Sequence, residues 1–426
     1  MSDARGEPRP RLLFCSYHAY WDPSSGAAAS TRDLLELLAA RGWSCGVLSG
    51  PQVDFERGAD AVEVLRTGGV SATSARGEEG GLGYTLHHAL ARGVRLTLYV
   101  PENSKPGDPG EAEGRVFLRL FERVCGHFRP DVMLTFGGHW LARETMARAR
   151  QLGVKIVFAL HNFAYADATL FQGADAVMLP SRTAQEHYRR TLGIASTPLP
   201  GPFDDSRILC DSMERRYLTF VNPQPEKGVF VFARIAFELG RRRPDIPLLV
   251  VEGRAGSDWL HRVGLGKLGG SNLHTMANTS DPRDFYRVSK VVLTPSLVRE
   301  TLARVPAEAM LNGIPVLASR RGALSETLAE TGYLFEVPER YTPESRSVPT
   351  AEEVRPWLDT VEQLWDEPAA YAAQSQRCLA AAAAWKPGRL LPQFETFFSD
   401  VVSGRAQPPF GPGIKPDVES SCSTKG

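Results

Sequence analysis

Two glutamates, Glu300 and Glu308, flank the start of a short helix in the stretch PSLVRETLARVPAEAMLNGIPVLASRRG, residues 295–322. Pro306 belongs in a first helical turn, where its missing N–H is not needed and its fixed φ already fits. The helix is therefore expected from near Val305 to Leu311, stopped by Gly313, and the apolar run Ile314–Ala318 reads as a buried parallel strand. A helix N-terminus offers unpaired N–H groups and the positive end of its dipole to phosphate. Carboxylates beside it can accept hydrogen bonds from sugar and ribose hydroxyls, so the arrangement suits a bound nucleotide sugar. A first-turn glutamate is also favoured by the dipole alone, which leaves Glu308 a structural role as well.

Three other stretches carry candidate chemistry. Asn222–Gly228, NPQPEKG, follows a strand and opens a helix, the place where open α/β sheets bind ligands. Lys227 would oppose the helix dipole there unless an anion binds, and the alternative is a solvated surface lysine. The first strand runs into YHAYWDPSSGAAAS, in which small residues around Gly26 let backbone approach a ligand. His18, Tyr20, Trp21 and Asp22 precede that glycine as candidates for an acceptor pocket or as ordinary loop residues. VFALHNF puts His161, followed by Asn162, just past a buried strand, where a histidine serves either a ligand or a cap.

The elements needed to hold these residues alternate in the manner of doubly wound parallel sheets. Strands are expected at Leu12–Ser16, Ser44–Leu48, Arg95–Val100, Val132–Phe136, Lys155–Leu160 and Ala176–Pro180, with helices at Ser30–Arg41, Gly114–Phe128, Leu141–Leu152 and Arg182–Thr191. Residues 52–93 read as a loop-rich insertion, with His87 and His88 on a helix and unable to share one metal. A second series begins with a strand from Tyr217 to Val221, a helix from Lys227 to Arg242, and strands at Pro247–Val251, Asn272–Met276 and Lys290–Leu293. The proline-rich stretch Thr197–Glu214 between the series reads as a hinge, and helices follow Thr350. The predicted organisation is a first Rossmann-like domain over 1–205, a second over 206–385, a helix over 386–403 and a disordered tail over 404–426.

Lys plus Arg and Asp plus Glu both number 49, so no overall field draws the chain to nucleic acid or an anionic membrane. No apolar run reaches the length of a membrane span and no signal peptide is recognisable, so a cytoplasmic location without membrane insertion is expected. Six cysteines lack a CxxC pair or regular spacing, which argues against both a zinc site and a disulfide framework. No Asp-x-Asp or HExxH metal motif appears; no metal and no cofactor are expected. Gly264–Gly269 formally matches GxGxxG but precedes a strand, so it fails the context a dinucleotide site needs.

The 295–322 segment resembles the signature of family-four glycosyltransferases (glycosyl transferases group 1): two glutamates separated by seven residues, Ala-Met after the second, then Gly-x-Pro-Val and a strand ending in Ser. The resemblance implies the α/β GT-B fold, two Rossmann-like domains facing a central cleft, with a C-terminal helix, Leu390–Val402, crossing back to the first domain. It implies that Glu300 lies by the donor sugar, Glu308 binds the nucleotide ribose and Lys227 holds the donor diphosphate. His161 would contact the sugar near its O6, and Gly26 would belong to the glycine loop near the phosphate. Leu302 and Ala303 stand where the family usually has Phe-Gly; an alanine N–H still donates, but alanine cannot take every glycine conformation. Asn222 occupies the approximate place of a family arginine, for which Arg254 is a candidate substitute. The implied activity is metal-independent, retaining transfer of a sugar from a nucleotide-diphosphate donor to an acceptor hydroxyl. The rivals are a nucleotide-sugar epimerase on the same fold and a sugar-nucleotide-binding protein without catalysis.

Overall fold

The computed structural model describes residues 9–23, 25–53, 61–67, 69–102, 108–253, 258–262 and 272–411. The chain divides into two compact units, one formed by residues 1–202 with 387–426 and the other by 203–386.

The first unit contains β1 (Arg11–His18), α1 (Gly26–Ala40), β2 (Ser44–Gln52), α2 (Ala61–Thr67), β3 (Ala72–Glu79), β4 (Leu82–Ala91) and β5 (Val94–Pro101). It continues with α3 (Glu111–Phe128), β6 (Val132–Thr135), α4 (Trp140–Gln151), β7 (Lys155–Ala159), β8 (Ala176–Leu179), α5 (Arg182–Leu192) and β9 (Thr197–Pro198). The nine strands form one sheet in the order β3-β4-β5-β2-β1-β6-β7-β8-β9. Central strands such as β1 and β6 are buried along nearly their whole length, with apolar cores Leu12–Cys15 and Val132–Leu134, because helices cover both faces of a parallel sheet. The order reverses between β1 and β6, so the loops leaving these two neighbours diverge and open a crevice at their carboxyl ends.

Residues 52–93 depart from the expected loop-rich insertion. They contain β3 and β4, an antiparallel pair that extends the sheet through β5. Gly80 and Gly81, with φ of 62° and 77°, form the two-residue turn, which requires left-handed backbone at both positions. The hairpin's polar faces are those of an exposed sheet edge, which is why alternation was weak. His87 and His88 lie on β4 instead of a helix; adjacent strand residues point to opposite faces, so they remain separated.

The second unit runs through α6 (Asp205–Ile208), β10 (Tyr217–Val221), α7 (Val229–Arg242), β11 (Leu248–Val251), α8 (Asp258–Arg262), β12 (Leu273–Met276), α9 (Arg283–Tyr286) and β13 (Ser289–Thr294). Then follow α10 (Arg304–Leu311), β14 (Val316–Ser319), α11 (Leu324–Leu328), β15 (Tyr333–Phe335), α12 (Arg355–Asp366) and α13 (Pro368–Ala382). Its six parallel strands take the order β12-β11-β10-β13-β14-β15, with the reversal between β10 and β13. The two ends of the unit meet, the Phe203 and Trp385 rings being 6.2 Å apart.

The last helix, α14 (Pro387–Val402), belongs to the first unit. Phe394 and Phe398 are buried, and Phe398 meets Trp43 edge-on at 6.0 Å. Between them Glu395 accepts a two-pronged bond from Arg41, at 2.9 and 2.8 Å, and another from Trp43 Nε1 at 3.1 Å. The Arg41 hydrogen bonds hold the Glu395 carboxyl below the usual range. The expected tail is described as far as residue 411, where Phe410 packs on the first unit's core and Pro409 accepts a hydrogen bond from Ala195 N–H; residues 412–426 lie outside the described residues. Glu395→Ala should lower unfolding stability by roughly 2 kcal/mol, because it strands the buried Trp43 donor and removes a charge-assisted pair; denaturant titration measures this.

Candidate functional site

The second unit's reversal point is built from two loops that touch. After β10 the chain turns through Asn222, at φ 64°, and reaches Gly228, at φ 84°, which starts α7. A Cβ on Gly228 would lie 1.9 Å from the Pro295 carbonyl oxygen, so only glycine lets the loop after β13 settle there. Glu226 carbonyl then accepts from Leu297 N–H at 2.9 Å and from Ser296 Oγ at 3.3 Å. From the other side, Ser319 Oγ donates to the Ser296 carbonyl at 2.5 Å and Ala323 N–H to the Glu300 carbonyl at 2.7 Å. Glu300 is thus fixed by backbone contacts on both flanks.

Lys227 Nζ donates to Glu300 Oε1 at 2.6 Å, and Ser296 Oγ donates to the same oxygen at 3.0 Å. Glu300 Oε2 has no hydrogen bond among the described residues. Lys227 lies in the turn before α7, not within the helix as its sequence position predicted, and its charge is balanced by Glu300. The pair keeps 35% and 15% of its side-chain surface exposed, enough for a ligand to reach both groups.

Glu308 is more enclosed, with 9% of its side chain exposed. Its Oε1 accepts from Arg304 Nε at 3.0 Å and Nη2 at 2.9 Å, and its Oε2 accepts from Tyr286 at 2.9 Å. Burial, then the Glu308 charge, pushes the Tyr286 phenol well above its ordinary value. Arg304 in turn lies over the Phe203 ring at 4.7 Å. Leu302 and Ala303 lead into α10, with Ala303 as N-cap at φ −93°, a conformation open to any residue. The glycine expected there is therefore not required by the backbone. Asn222 packs against Gly253, where a Cβ would approach to 3.0 Å. Arg254 and the Gly264–Gly269 stretch lie outside the described residues.

In the first unit, Ser25 caps α1 by accepting from Ala28 N–H at 3.4 Å, and Gly26 is the helix's exposed first residue. Arg32 ties the preceding loop down through the Tyr20 carbonyl at 2.7 Å. Tyr20, Trp21 and Asp22 are buried in that loop, so three of the four residues expected to build an acceptor pocket are packed inside; His18 alone remains half-buried at the strand end. His161 stands just past β7, edge-on to Phe136 at 5.4 Å, and lines a narrow pocket with Ser30, Thr31, Pro180 and Gly201. The Asn162 carbonyl accepts from Tyr188 at 2.5 Å, and its side chain accepts from Ala164 N–H at 3.0 Å.

Gly137 and His139, in the Phe136–His139 loop after β6, were not singled out by sequence. The signal was available: Gly-Gly-His between a strand and a helix is the same context that marked Asn222–Gly228. Gly137 has φ 127°, and a Cβ there would lie 3.4 Å from His18 Nε2 and 3.7 Å from His139 Nε2. Both imidazoles therefore border one notch at the β1–β6 reversal. Neither His139 ring nitrogen has a hydrogen-bond partner among the described residues, although the residue is only 9% exposed. Burial, reinforced by nearby His18, lowers its pKa to about 4, so it is a neutral imidazole at pH 7. Among the described residues no three His, Cys, Asp or Glu side chains gather as a metal site would require, and no helix is long and apolar enough to cross a membrane.

Comparison with known proteins bears on the same segment. Residues 215–344 match the family model described as Glycosyl transferases group 1. Lipopolysaccharide 1,2-N-acetylglucosaminetransferase of Salmonella typhimurium is 27% identical over 217 residues, 44% of this chain and 55% of that protein. The chain thus spans about half the length of this curated relative. Sucrose-phosphate synthase from Thermosynechococcus elongatus superposes with a TM-score of 0.66 at 16% identity, over 93% of this chain and 100% of that one. HepE of Anabaena, solved with UDP and glucose, gives a TM-score of 0.65 at 12% identity, over 92% and 100%. These likenesses establish the fold, which is GT-B.

Since His139 has a lowered pKa, the unfolded chain binds more protons than the native state as pH falls from about 6.5 towards 4, and native stability should fall with it. The loss is absent above about pH 6.5 and reaches on the order of 3 kcal/mol below about pH 4. Denaturant melts of His139→Gln across that interval should show a correspondingly flatter dependence than the parent chain.

Proposed function

We propose that this chain, which carries a glycosyl transferases group 1 segment on a GT-B fold, moves a sugar from a nucleotide-diphosphate donor to an acceptor hydroxyl with retention of anomeric configuration. The observation that carries the proposal is the Lys227–Glu300 pair, held at the β10–β13 reversal inside the matched segment. Breaking the glycosidic bond leaves negative charge on the departing diphosphate, and a fixed cation at that point supplies the electrostatic term that usually dominates. Lys227 retains two further donor positions after binding Glu300. The N–H groups around Leu302 and Ala303, at the start of α10, add positive potential.

In this reading Glu300 orients the sugar through Oε2, and Glu308 anchors the ribose from its Arg304 and Tyr286 cradle. Gly26 offers backbone to phosphate, Asn222 and Arg254 border the diphosphate, and His161 contacts the sugar near O6. The acceptor oxygen forms a bond to the anomeric carbon on the face from which the diphosphate oxygen leaves. A diphosphate oxygen takes the acceptor's proton. The Gly137 notch, bordered by two imidazoles, is suited to hold an acceptor hydroxyl, since a neutral imidazole both donates and accepts.

Lys227→Ala should lower turnover by about 10²-fold with the melting temperature little changed; steady-state assays with UDP-, GDP- and ADP-sugars measure it, and unaltered turnover would remove the diphosphate role. Glu308→Gln should weaken donor binding about tenfold, roughly the loss of one charge-assisted hydrogen bond. Calorimetric titration of the donor decides this, and unchanged affinity in a folded variant would return Glu308 to a purely structural part.

A further inference from the structure

A cavity of about 380 Å³ opens in the first unit, away from the strand-end loops described above. Its walls come from the beginnings of β2 and β5, from β4, and from the last turns of α3. Gly46 borders it: a Cβ there would lie 3.1 Å from the Phe128 ring, so the missing side chain lets the end of α3 pack directly on the β2 backbone. Leu13, Val47, Leu86, Leu120, Val124 and Phe128 supply apolar lining. The volume falls within the range of small-molecule sites.

The polar lining is basic. Arg95, Arg123, His88 and His127 stand at the mouth, all exposed, and no aspartate or glutamate lines the cavity. Arg123 is paired with Glu79 at 3.3 Å, whereas Arg95 has no hydrogen bond or ion pair among the described residues. His127 Nδ1 is 2.8 Å from the Arg123 carbonyl, and His88 Nδ1 is 3.2 Å from Thr97 Oγ1, so each ring is held in place at the rim. The chain as a whole carries equal numbers of basic and acidic residues, which makes this local excess a property of the site. An apolar floor beneath a cationic mouth complements an alkyl chain ending in an anion.

We propose that this cavity binds a single-chain anionic amphiphile as a monomer, with its hydrocarbon between α3 and the sheet and its head group against Arg95 and Arg123. The chain gains by leaving water, and the head by charge-assisted hydrogen bonds to guanidinium. This site is independent of the transfer reaction proposed above, and its test does not use turnover.

Dodecyl phosphate, kept below its micelle-forming concentration, should bind the full chain saturably and raise its melting temperature. Inorganic phosphate and 1-dodecanol, each carrying half of the chemistry, should bind at least tenfold more weakly. Val124→Trp, which fills the cavity from a half-buried helix position, should weaken dodecyl phosphate binding at least tenfold. Arg95→Ala removes an exposed side chain with no partner to strand, so it should leave the fold intact and also weaken binding at least tenfold. Absence of saturable binding, or equal binding by the parent and Arg95→Ala, overturns the proposal. So does association with phosphatidylglycerol vesicles that is unaffected by Val124→Trp and unaccompanied by dodecyl phosphate binding, because that pattern belongs to a membrane-facing surface.

Discussion

The approach of Gly228 to the Pro295 carbonyl is the contact on which the second unit's site depends. Parallel strands with a reversed order send their following loops in opposite directions, and a crevice appears between them. Here the loops after β10 and β13 close on each other at the crevice floor, which requires a residue without Cβ and with left-handed backbone. Gly322 makes the matching concession on the far side: a Cβ there would meet Glu300 backbone at 2.5 Å. Two glycines far apart in sequence thereby fix the carboxylate that meets Lys227.

Electrostatics at the two reversal points differ in kind. The second unit holds a charged pair whose lysine has donors to spare, fit for an anion that can displace or share the carboxylate's hold. The first unit presents two imidazoles around a glycine notch, where desolvation has removed the charge from His139. The proposed reaction, with its charged diphosphate and uncharged acceptor hydroxyl, calls for these two environments respectively. Glu308 closes a network with Arg304 and Tyr286 that joins α9 to α10.

The parallel cores were legible in sequence because buried strands must be apolar on both faces. Tyr217–Val221 was read with its observed limits, and Val305–Leu311 within one residue of α10. The β3–β4 hairpin was missed because its faces are polar, although Gly80-Gly81 carried a turn signal. Ion pairing lay beyond reach: Lys227 meets Glu300 across 73 positions, and Tyr286 meets Glu308 across 22, and nothing local encodes either. Burial of Tyr20, Trp21 and Asp22 was equally hidden, since aromatic and acidic side chains in a strand-end loop look alike whether they face a ligand or the core. The Gly137–His139 loop was legible in principle, by applying to the first sheet the rule already applied to the second.

The covalent path of the chain follows from where α14 packs. Residues 203–386 are one uninterrupted segment whose ends, Phe203 and Trp385, lie side by side, while the first unit is assembled from what comes before and after. In effect the second unit is an insertion within the first. Its termini are already adjacent, whereas the first unit must bring two outer pieces of chain together before Glu395 can reach Arg41.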